Sequence, residues 1–91
     1  MIRVVLAADG IPATEGEQAA IDIAKEFNEV RTPRYINATC AFDKGILTLS
    51  CDNDGWDAKG LNLMDEFSDC LCAYVVNKLY GDIRFISAEA I

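Results

Sequence analysis

The sequence predicts one α+β domain over residues 1–91, ordered β-α-β-β-α-β. Three observations carry this. Apolar periodicity switches between strand-like and helix-like stretches in that order. A turn signal, Lys44-Gly45, joins two short alternating stretches in the middle of the chain. The length is one domain's worth, with a hydrophobic fraction of 52% and no repeat, low-complexity segment or linker.

Taken in order, Ile2 to Ala8 is β-branched and nearly all apolar, as suits a central strand buried on both faces. Asp9, Gly10 and Pro12 break it. Thr14 and Glu17 have the spacing of a capping box, with Thr14 as the N-cap. The helix beyond sets Ala20, Ile23, Ala24, Phe27 and Val30 on one stripe and Asp22, Lys25, Glu26 and Glu29 on the other side. Thr32 and Pro33 end it. From Arg34 to Phe42 the pattern alternates: Ile36, Ala38, Cys40 and Phe42 on one face, Tyr35, Asn37, Thr39 and Ala41 on the other. A two-residue loop at Lys44-Gly45 sets Phe42 opposite Leu47 and puts both apolar rows on one side. Ile46 to Cys51 is the return strand.

Asp52 to Gly60 reads as a loop, with Asp57 or Asn62 available as a helix N-cap. A second helix is expected from about Leu61 to Tyr80, closed by Gly81. Its buried stripe is Met64, Phe67, Leu71, Tyr74, Val75 and Leu79, widened by Cys72 and Val76. The last strand starts at Ile83, with Ile83 and Phe85 inward. Two right-handed crossovers around a hairpin make a ferredoxin-like βαββαβ sandwich, a four-stranded antiparallel sheet in order 4-1-3-2 with both helices on one face. The other face is left open. So many functions use this fold that it carries almost no functional information.

Composition excludes more than it assigns. The formal net charge is −7, which disfavours nucleic acid and anionic lipid and favours a basic partner. The longest apolar run, Cys70 to Val76, is far short of the ~20 residues of a membrane span. The first apolar stretch stops at Asp9, short of a signal-peptide core. Four cysteines without such a signal point to a reducing, cytoplasmic setting. Histidine is absent, so Ser-His and Cys-His nucleophiles cannot form within the chain. No catalytic residue, metal or cofactor is expected.

Cys70 and Cys72 lie about 200° apart on a helix and cannot face one ion. Cys40 and Cys51 are diagonal on neighbouring strands, a poor disulfide geometry. Asp52-Asn53-Asp54-Gly55-Trp56-Asp57 departs from a calcium loop: Trp56 takes the fifth position and Leu63 the place of the bidentate Glu. Gly55 to Gly60 has phosphate-loop glycine spacing, but Leu61 and Asn62 replace its Lys and Ser/Thr. The two central strands lack the open-face aromatics on which RNA-recognition modules stack bases.

Two surfaces remain. Residues 52–69 hold Asp52, Asp54, Asp57, Asp65, Glu66 and Asp69 against Lys59, with Trp56 among them. An aromatic ringed by carboxylates suits a basic protein partner, so the first expectation is a small binding module. An inhibitor or immunity-type protein, of phage or toxin-neutralising kind, that occludes a nuclease or other nucleic-acid-handling target would have this character. The plainer alternative is a tryptophan folded over the core with a solvated acidic rim. The second surface is the open sheet face, where Arg3, Arg84 and Tyr35 would gather. It suits a regulatory domain that binds an anionic small molecule and forms a homodimer through that face.

Overall fold

The computed structural model describes residues 1–77 and 81–91. The elements are β1 (Ile2–Ala8), α1 (Ala13–Glu29), β2 (Ile36–Asp43), β3 (Ile46–Asn53), α2 (Leu61–Tyr74) and β4 (Ile83–Ala90). The sheet runs β2-β3-β1-β4 with every neighbouring pair antiparallel, the ferredoxin-like arrangement.

The core lies between the sheet and the helices. β1 contributes Val4, Leu6 and Ala8, and β3 contributes Leu47, Leu49 and Cys51. Above them sit Ala19, Ala20, Ile23 and Phe27 of α1, and Leu63, Phe67, Cys70 and Leu71 of α2. Val30, set on the α1 stripe by periodicity, lies just past the helix and is exposed. Gly16 lets α1 settle on β2, because a Cβ there would stand 2.2 Å from the Phe42 ring. Phe42 faces Leu47 across the hairpin, and Lys44 and Gly45 both take positive φ, as a tight two-residue loop requires.

Four local expectations are corrected. Helix α1 begins at Ala13, and the Pro12 carbonyl accepts the Glu15 and Gly16 N–H groups, so Thr14 falls inside the first turn and no side chain caps it. Glu15 turns to α2 instead, its carboxylate accepting from the Val76 and Asn77 N–H groups. Helix α2 stops at Tyr74, where the β-branched pair Val75-Val76 leaves the helix: Val75 is extended and buried, while Val76 and Cys72 are exposed. Leu79, expected on its stripe, lies outside the described residues. Phe85, expected inward, is 49% exposed although it pairs with the buried Leu6.

The fourth correction bears on the site. Ile36 pairs with Asp52 but Thr39 pairs with Ser50, so β2 carries one extra residue. Asn37, at φ 54, makes this bulge. One extra residue reverses the alternation. Tyr35, expected on the open face, is therefore fully buried on the helix side. The Asn28 side chain holds the bulge from α1, accepting from the Ala38 N–H and donating to the Ala38 carbonyl.

Candidate functional site

The acidic segment does not form one surface. Asp57 is buried, and its carboxylate accepts from the Asn62 and Leu63 N–H groups at the start of α2 and from the Tyr35 hydroxyl at 2.8 Å. Left-handed Gly60, not Asp57 or Asn62, takes the N-cap position expected of them, and Asp57 serves the helix N–H groups from three residues earlier. Asn53 holds the loop below, accepting from the Gly55 and Asp57 N–H groups and donating to the Asp57 carbonyl. Glu66 faces α1, accepting from Arg31 at 2.6 Å and from Asn62. Arg31 also stands 3.5 Å from Glu26, which accepts from the Tyr74 hydroxyl. These groups make one chain of polar contacts between the helices, from Tyr35 to Tyr74. Burial pushes the Tyr35 phenol up, so it stays a donor.

Asp52 leaves the patch as well. It lies on the open sheet face with its side chain fully covered, held by both Nε and Nη2 of Arg3 and by the Asn37 amide. The Arg3 guanidinium keeps its carboxyl below the usual range. Arg84 is likewise taken in a two-point pair with Asp9, both bonds 2.8 Å. Arg3 faces Glu89 and Arg84 faces Ala7, so the two arginines stand four β1 residues apart, about 13 Å along the strand. With Tyr35 buried, the three residues expected to hold an anion on that face do not meet at one point.

Of the acidic group, Asp54, Asp65 and Asp69 are exposed. Asp65 lies on the α2 flank toward Asp82 and Ile83, away from Trp56. Asp54 stays with the tryptophan, its carboxylate accepting from the Trp56 backbone N–H, and the covered Asp52 lines the same cleft.

Trp56 itself is 46% exposed and held from several sides. Its indole Nε1–H donates to the Arg34 carbonyl at 3.2 Å, the Arg34 guanidinium sits 4.5 Å over the ring, and the Tyr35 ring lies 5.5 Å away. The indole thus has its polar atom satisfied and its face fixed while half its surface stays in water. Beside it opens a cleft of about 570 Å³ at the end of the sheet, lined by Met1, Pro33, Arg34, Ile36, Asp54 and Trp56, with Asp52 and Asn53 behind. Pro33, Arg34 and Ile36 could not be assigned to it from the sequence, because the bulge that turns this strand is set by contacts to Asn28 on another element. An arginine next to a buried tyrosine and 22 residues before a tryptophan has no pattern to flag it.

The thiols lie elsewhere. Cys51 and Cys70 are buried, Cys40 half-buried and Cys72 exposed. Burial pushes Cys40 up to about 12 and Cys70 up to about 11. Cys40 faces Leu49 and Cys51 faces Val4, the diagonal placement expected. Among the described residues no group of three Cys, Asp or Glu side chains could hold a metal ion, and no helix is long and apolar enough to cross a membrane. Comparison with protein-family models, curated proteins and solved structures finds no match to this chain.

Proposed function

We propose that this chain is a protein-binding module that receives an apolar anchor of a basic partner in the Trp56 cleft. The single observation behind this reading is the indole: half-exposed, clamped by Arg34 and Tyr35, and opening on an apolar hollow. Tryptophan is among the residues that dominate interface energies, and an aromatic already fixed in place loses little freedom on binding. Asp54 supplies a carboxylate at the rim, and Asp65 and Asp69, exposed elsewhere, contribute through the field of a chain at −7. Long-range charge speeds and orients approach, while the cleft gives the contact. A target with a basic working surface, such as a nuclease or another nucleic-acid-handling protein, suits this division. The chain would act in the cytoplasm as an inhibitor or immunity-type protein by covering that surface, without chemistry of its own.

Trp56 is the chain's single tryptophan, so its emission reports on the cleft alone. The test is titration with a Lys/Arg-rich peptide bearing one Leu or Phe, beside the same peptide with Ala at that place and an Asp/Glu-rich counterpart. The anchored basic peptide is expected to shift the emission to the blue, with affinity falling roughly tenfold between about 0.05 and 0.5 M salt. An equal response to all three peptides, or to none, would overturn the reading.

A further inference from the structure

β4 is an edge of the sheet, and it carries exposed apolar side chains of the kind an unguarded edge leaves open to pairing. Phe85 and Ile86 are each 49% exposed and Ile91 58%, with Ala88 and Ala90 exposed between them. The opposite edge is guarded: β2 has the Asn37 bulge, and Asn28 occupies the backbone groups of Ala38. Along β4 the ionised groups are Arg84 and Glu89, one of each sign, on a molecule that is strongly acidic overall.

We propose that β4 pairs antiparallel with β4 of a second copy of this chain, placing Arg84 opposite Glu89 of the partner and Phe85 opposite Ala88. The ladder already present fixes which β4 residues turn their backbone groups outward, and the opposite charges of Arg84 and Glu89 select the two-fold register among those this phase allows. Ile91 donates to the Met1 carbonyl, so in an antiparallel ladder Glu89, opposite Arg3, also points its backbone groups at β1. Ala88, the next residue, then turns its backbone groups outward. Val4 and Leu6 are two residues apart on β1, so their partners Ala88 and Phe85 share that phase. Phe85 and Ala88 therefore face each other as a hydrogen-bonded pair across the new edge.

The side chains agree with the backbone. β4 carries an extra residue between Phe85 and Ser87, which puts Arg84 and Glu89 on one face although they are five residues apart. Their β1 partners, Ala7 and Arg3, both point to the open face. Phe85 and Ala88 share the helix face with Leu6 and Val4. The pairing thus joins like faces to like, with opposite charges meeting on the open side twice by symmetry. Asp9 occupies Nε and Nη2 of Arg84, and a guanidinium has five N–H donors, so a second carboxylate can be held. The product is an eight-stranded sheet with both Phe85 rings covered.

Sedimentation and light scattering of the full chain test this. The wild type is expected at twice the monomer mass at concentrations up to ~0.1 mM. Glu89→Arg, which leaves the Asp9–Arg84 pair alone, is expected to weaken the dimer at least tenfold, and Arg84→Glu likewise. Mixing the two variants should restore a dimer of one copy of each, because every cross-strand pair is again of opposite sign. If circular dichroism shows Arg84→Glu unfolded, Phe85→Asp replaces it as a second variant and should be monomeric. A monomeric wild type, a dimer unaffected by Glu89→Arg or Phe85→Asp, or folded reversal variants that fail to pair when mixed would each overturn the proposal.

Discussion

Asp52 and Asp57 stand in one acidic stretch, yet neither serves as surface charge. Asp52 lies covered on the sheet under Arg3 and Asn37, and Asp57 is shut under Tyr35 at the head of α2. Alternation along β3 sends Asp52 to the open face, and the loop after Asn53 turns Asp57 back into the core. The sequence shows their charge but not these partners, which lie 15 or more residues away. Arg3 holds the Asp52 carboxyl low, so the pair contributes stability that is fully present above the unfolded carboxylate range and lost as pH falls through the lower folded value. Asp52→Asn should therefore be less stable than wild type at about pH 6 and nearly equal to it at about pH 2, read by denaturant unfolding. A gap that persists unchanged at low pH would count against the ion pair. The thiols separate in the same way. Cys72 is exposed, whereas burial raises Cys40, Cys51 and Cys70 and keeps them protonated. A chromogenic disulfide reagent should modify one thiol of four quickly in the native protein and the rest only on unfolding. Rapid reaction of two or more would contradict this burial.

At the scale of elements, periodicity made β1, α1, the hairpin register and the head of α2 legible. Each of these has an apolar pattern that local geometry reads directly. Two features were illegible because another element takes part in them: Asn28 on α1 holds the β2 bulge that reverses Tyr35, and Glu15 on α1 takes the N–H groups just past α2. A third is local: the Pro12 carbonyl takes the first N–H groups of α1, which leaves Thr14 inside the first turn. That Asp57 would serve the head of α2 was legible, because an Asp in the loop before a helix carries its own local chemistry, but the N-cap position itself falls to Gly60. Asp57→Ala removes the acceptor of two helix N–H groups and leaves the buried Tyr35 hydroxyl short of a partner. The expected loss is about 2–4 kcal/mol in denaturant unfolding, larger than an exposed cap because of the buried hydroxyl. A loss below about 0.5 kcal/mol would mean that solvent or Asn62 replaces the carboxylate.

At the scale of the molecule, the chain's acidity spreads over several faces. Five of the six acids of residues 52–69 divide between the head of α2, an interhelical network, the open sheet face and the outer side of α2. This leaves the Trp56 cleft, with Asp54 beside it, as the part of the expected surface that holds together. The sequence pointed to Trp56, but its neighbours come from three separate segments and needed the fold. The cleft and the β4 edge are different parts of the surface, lined by different residues, so binding at one can be told from association at the other. The most direct test is amide chemical-shift mapping of the labelled protein as an anchored Lys/Arg-rich peptide is added. The largest shifts are expected at Arg34, Ile36, Asp54 and Trp56, lost on Trp56→Ala. Shifts confined to β4 or to the Asp65–Asp69 side of α2, with Trp56 unmoved, would rule out binding in the cleft.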